Sequence, residues 1–172
     1  MRRVTCLLIP FLAFVASACG SSPTSPSTSI STAAPQPKNA SGIVTAMIDG
    51  VSFTALSTQV STNGGAIALA FVGVADNTLT GLGWGVTASA PGTYAIPSGA
   101  NNALLQYFTP AGVSTAAWTA TNAQGSGTIT ITSLTANSAT GTFTLTVLPA
   151  SNPGPAGTGT KAITAGTFNI TF

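Results

Sequence analysis

The sequence predicts an all-β domain, a single antiparallel β-sandwich or small β-barrel of about nine or ten short strands. Three observations carry this. Polar and apolar residues alternate with period 2 in Thr128-Ile129-Thr130-Ile131-Thr132, in Thr142-Phe143-Thr144-Leu145-Thr146-Val147 and in Thr167-Phe168-Asn169-Ile170-Thr171-Phe172. That is the pattern of a strand with one wet and one buried face, and β-branched Thr suits the wet one. Turn-forming residues recur at short intervals along the chain. No window shows an apolar stripe at helical spacing between caps.

The elements follow in chain order. Arg2 and Arg3 precede an apolar run, Val4 to Val15, that is too short to span a bilayer, for which about 20 residues are needed. Ala16-Ser17-Ala18 is a small-residue cleavage site, so residues 1–18 read as a signal peptide. With Cys19 next, Ala16-Ser17-Ala18-Cys19 resembles the lipobox of bacterial lipoproteins, although that class favours Leu where this chain has Ala16. The resemblance implies that Cys19 carries a thioether-linked diacylglyceryl group and an N-acyl chain, making the membrane a partner through a lipid anchor. Each buried methylene adds about 0.8 kcal/mol, so several chains hold where one does not. Gly20 stands where an Asp would signal retention in the inner membrane, and the resemblance therefore implies the outer membrane in a Gram-negative host. Cys6 leaves with the signal and Cys19 is modified, so no disulfide is expected despite the oxidising compartment.

Residues 19–41 are rich in Ser, Thr, Pro and Ala and poor in large apolar side chains. Such a segment cannot offset its ordering entropy, and reads as a disordered tether. Residues 42–172 read as one all-β domain, long enough to bury a core. Ile67, Leu69 and Phe71 alternate with Ala68 and Ala70. Turns are expected at Asp49-Gly50, Asn63-Gly64-Gly65, Asp76-Asn77, Pro91-Gly92, Pro97-Ser98-Gly99 and Asn122 to Gly125. Asn137 to Gly141 is expected to close a hairpin, and a Pro/Gly loop, Pro149 to Gly159, precedes the last strand. With so few charges, exposed edges must be managed by closure, bulges and glycine breaks. The domain also resembles a group of bacterial envelope lipoproteins with no established activity. The shared pieces are Ala46-Met47-Ile48-Asp49-Gly50-Val51-Ser52-Phe53, Pro91-Gly92-Thr93-Tyr94, Gly127-Thr128-Ile129-Thr130-Ile131, Gly141-Thr142-Phe143 and Gly166-Thr167-Phe168.

Composition narrows the chemistry. Charged residues make up 3% of the chain, and it has no His and no Glu. A hydroxyl nucleophile needs a base, which leaves Lys38, Lys161, Asp49 or Asp76. Thr158-x-x-Lys161 only echoes an S-x-x-K pattern, and Asp49 and Asp76 both occupy turn positions, so no catalytic residue is expected. Zinc and redox metals lack ligands, and calcium lacks enough oxygens; no metal or cofactor is expected. A single Lys161 in the folded part argues against nucleic acid. Once Arg2 and Arg3 leave, Lys38 and Lys161 cancel Asp49 and Asp76.

Trp84, Tyr94, Tyr107 and Trp118 are the candidate ligand-binding rings, able to stack on sugars or line an apolar pocket; each is otherwise a core residue. Small neighbours Ala116, Ala117, Thr119 and Ala120 mark Trp118 as the surface ring. Gly81, Gly83 and Gly85 share one strand face, opposite Leu82, Trp84 and Val86, and are expected under cross-strand aromatic cover, with a flat-ligand platform as the alternative. The functional expectation is a non-catalytic, lipid-anchored envelope protein that binds a glycan or small apolar molecule. A structural or adhesive surface protein is the alternative, and a hydrolase working without His a remote one.

Overall fold

A computed structural model describes residues 36–150 and 154–172. The chain there is all-β, with ten antiparallel strands in one sheet. In chain order they are β1 (Lys38–Ile48), β2 (Val51–Asn63), β3 (Ala66–Ala75), β4 (Thr78–Thr87) and β5 (Gly92–Ile96), then β6 (Asn102–Phe108), β7 (Ser114–Ala120), β8 (Ser126–Leu134), β9 (Ser138–Pro149) and β10 (Lys161–Thr171).

The first four strands form a meander through two-residue turns. Asp49-Gly50, Gly64-Gly65 and Asp76-Asn77 all adopt positive φ, the conformation that matches a hairpin turn to strand twist. β1 begins at Lys38, within the stretch that composition alone assigns to the tether, and Lys38, Asn39 and Ala40 pair with Val60, Gln59 and Thr58. The β8–β9 hairpin forms as expected, but it turns at residues 135–137; Ser138 to Gly141 already belong to β9, with Gly141 opposite Ile131.

The strand order β10-β1-β2-β3-β4-β6-β7-β9 closes on itself because β9 also pairs with β10. This makes the domain barrel-like, with β8 and β5 branching from β9. The second edge of β9 is shared: Ala139 to Thr146 pair with β8, whereas Leu148 and Pro149 pair with Thr119 and Trp118 of β7. Two side-chain amides bridge the joints. Gln124 lies in the fork, its Nε2 donating to Pro149 O at 2.9 Å, Thr119 Oγ1 at 3.1 Å and Leu148 O at 3.3 Å. Buried Asn101 links β4 to β5, accepting from Thr87 N at 2.9 Å and donating to Ala95 O at 2.9 Å.

The inward positions supply one core, from Phe53, Phe71, Leu82, Leu105, Ile129, Phe143, Ile163 and their neighbours. Glycines make room for rings inside it. Gly141 lies opposite Phe168 and Gly166 opposite Phe143, where a Cβ would meet ring carbons at 2.6 Å and 2.5 Å. Aromatic cover of strand glycines is thus found on β9 and β10.

Candidate functional site

The four candidate rings separate into three environments. Trp84 is core, 2% exposed, with Phe168, Phe71 and Phe143 at centroid distances of 5.2, 6.4 and 6.5 Å. Among the described residues its Nε1 has no hydrogen-bond partner, and the three Phe rings pack beside it. Tyr94 on β5 is half-buried and donates its hydroxyl to Ala90 O. Tyr107 and Trp118 meet on neighbouring strands, edge to face at 5.0 Å.

Trp118 is not a surface ring. It is 3% exposed, because the 154–159 segment crosses it: Gly157 lies where a Cβ would meet the indole at 2.0 Å, and Trp118 Nε1 donates to Gly159 O at 2.9 Å. The small residues beside Trp118 admit this segment rather than expose the ring, with Ala117 O accepting from Gly157 N at 2.9 Å. On the outward side of β4, the atoms nearest a Cβ at Gly83 or Gly85 belong to β3 and to Asn102, and include no ring.

Lys161 joins Tyr107 and Trp118 at one end of the barrel. Its Nζ lies 5.5 Å from the Trp118 centroid, 6.0 Å from the Tyr107 centroid and 2.8 Å from Asp49 Oδ2. Asp49 Oδ1 also accepts from Ala162 N, and Asp49 N donates to Ala162 O. Partial burial opposes ionisation of Asp49, but the Lys161 and Ala162 hydrogen bonds outweigh it and hold the carboxyl below its ordinary range. The Asp49 hydrogen bond raises Lys161 against its own desolvation, and burial raises Tyr107. The cluster clasps the β1–β2 turn to the start of β10. It leaves Lys161 charged and committed to Asp49, rather than available as the base of a Thr158-x-x-Lys161 pair.

The outer surface of the sheet from β2 through β1, β10, β9 and β8 to β5 has a different chemistry. Register aligns Thr54, Thr45, Thr167, Thr142, Thr130 and Thr93 in one row across β2, β1, β10, β9, β8 and β5. Hydroxyls bond along and beside it: Thr45 to Thr167 at 2.9 Å, Thr93 to Thr130 at 3.2 Å, Thr128 to Thr144 at 3.1 Å and Thr132 to Thr140 at 3.0 Å. Next to the row, β10 carries one extra residue between Ile163 and Gly166, with Ala165 at φ 48°. This bulge borders a shallow depression of about 400 Å³ that includes Ser126, Thr128, Thr144, Thr146 and Thr164 in its lining. No charged residue lies in the row or the depression. Sequence alternation marked Thr128, Thr130, Thr132, Thr142, Thr144, Thr146 and Thr167 as outward, but their alignment with Thr45, Thr54 and Thr93 depends on register. No protein family, curated protein or solved structure matches the chain.

Proposed function

We propose that this is an exported, lipid-anchored envelope protein with a non-catalytic role, binding a neutral glycan along the hydroxyl face of β8, β9 and β10. The observation that supports the reading is the uncharged depression with its five hydroxyl-bearing side chains beside the Thr row. Each hydroxyl both donates and accepts, as do the hydroxyls of a sugar. Ring stacking has less support, because Trp84 and Trp118 are buried and Tyr107 sits in the Lys161 clasp. A small apolar ligand has less support for the same reason.

Magnitude sets the mode of binding. A hydrogen bond exchanged against water nets about 0.5–1.5 kcal/mol, so a few of them give an affinity near the millimolar range. Many anchored copies on one extended polymer would raise that by avidity. Retention on insoluble neutral polysaccharides tests the reading. Thr128→Val with Thr144→Val keeps strand propensity while removing two hydroxyls, and should abolish retention; retention equal to wild type, or none by wild type, overturns it. The anchor is tested separately by lipid-precursor labelling, which Cys19→Ala should eliminate.

A further inference from the structure

We propose that the Thr row is the footprint of a single extended polysaccharide chain, lying across the strands with one neutral β-linked pyranose on each of six strands. It rests on the neutral-glycan role proposed above, and adds the direction, length and linkage of the ligand. Thr54, Thr45, Thr167, Thr142, Thr130 and Thr93 are direct cross-strand partners in five successive pairs. Side chains directly opposite one another stand about 5 Å apart, so the row runs for about 25 Å. An equatorially linked pyranose chain advances by nearly the same distance per residue, which brings one Thr to each sugar. Both ends of the row are defined. Beyond Thr54 the next partners are Val74 on β3 and Leu79 on β4, which carry no hydroxyl. Thr93 lies on β5, whose strand pairing among the described residues is with β8 alone.

The row is open to a ligand. Phe143 of β9 stacks on Phe71 of β3 at 6.2 Å, and Phe168 of β10 meets Trp84 of β4 at 5.2 Å. The inner faces of β9 and β10 thus meet β3 and β4 across the core, and the Thr side chains point the other way. Hydroxyl bonds within the row leave capacity. Thr45 bonds Thr167 and Thr93 bonds Thr130. Two hydroxyls carry two O–H donors and four lone pairs, so one mutual bond leaves a donor and three acceptor sites per pair. Twist selects a single chain over a crystalline face. Adjacent strands rotate by about 20–25°, and the side chains of the row turn with them. One chain can wind along that path, whereas a flat crystal face would meet only a few strands at once. The depression flanks the row where it crosses β8, β9 and β10, with room for a hydroxymethyl side group.

Calorimetric titration of the exported chain carrying Cys19→Ala with β-1,4-linked gluco- and manno-oligosaccharides of increasing length tests the arrangement. With at least one series, affinity should rise about threefold per added residue and level off at about six residues. Thr54→Val with Thr93→Val removes the end hydroxyls and should move the plateau to about four residues, with shorter chains bound within about twofold of wild type. α-1,4-linked malto-oligosaccharides, which coil away from a straight row, should gain nothing with length. Circular dichroism confirms that each variant is folded. Affinity independent of length, a plateau unmoved by the end variant, equal gains in the coiled series, or binding to crystalline polymer but to no soluble chain overturns the proposal. Retention on insoluble polysaccharide that is lost with Thr128→Val and Thr144→Val, together with an unmoved plateau, fails the row alone. No retention by wild type fails both the row and the glycan role.

Discussion

At the residue scale, Trp84 combines a large apolar payload with an indole N–H that has no partner among the described residues. A buried donor without a partner costs about 1–3 kcal/mol, partly relieved by the neighbouring ring faces. Trp84→Ala is expected to cost about 3–5 kcal/mol by opening a cavity among Phe71, Phe143 and Phe168. Trp84→Phe should cost less than about 1.5 kcal/mol, since it removes the unpaired donor with the lost volume. Denaturant midpoints of the two variants check the contrast. The Lys161–Asp49 pair makes a pH prediction. Asp49 is lowered in the fold, so its contribution is present above the ordinary carboxylate range and is lost as pH falls through its folded pKa. Lys161 is raised, so its contribution holds below the ordinary lysine range and is lost as pH rises through its folded pKa. With side chains 24% and 38% exposed, the pair contributes no more than about 1 kcal/mol. Asp49→Asn should therefore lower stability slightly at neutral pH and flatten the acid limb of a stability–pH curve.

At the element scale, the alternating strands and hairpin turns were legible because period 2 and positive-φ turn residues are local properties. The two amide bridges were not, since Asn101 joins two strands that are not paired with each other and Gln124 reaches Leu148 and Pro149 on a strand that the sequence alone does not bring beside it. Asn101→Ala leaves Thr87 N–H and Ala95 C=O without their partner, but both residues are exposed, so water replaces part of each bond. The expected result is a loss of about 1–2 kcal/mol, with hydrogen exchange accelerated first in β5, whose strand pairing among the described residues is with β8 alone. Uniform acceleration across all strands would show instead that β5 and the ring open together. The ring environments also depended on tertiary contact. Local composition favoured an exposed Trp118, but the segment that covers it comes from 41 residues downstream, ending in the Gly159 carbonyl.

At the scale of the whole molecule, β10 lies between β9 and β1, so closure needs its pairing with β1, a strand more than a hundred residues earlier, as well as with its sequence neighbour β9. The N-terminal boundary matters to that closure. A chain beginning at Gly42 lacks Lys38, Asn39 and Ala40, which pair with the end of β2. It should unfold at a lower temperature than a chain beginning at Gln36, with a single transition in both; equal melting temperatures would show that these first pairings carry no stability. The sequence by itself determined the all-β class and, in the alternating stretches of β8, β9 and β10, the outward placement of Thr and the inward placement of Ile, Leu, Val and Phe, because alternation is written residue by residue. Only the tertiary structure decided that eight of the ten strands close into a ring and that six Thr residues share a row. Those features depend on register and on which edges meet, and pairing between distant strands is fixed by the packed core rather than by any local pattern.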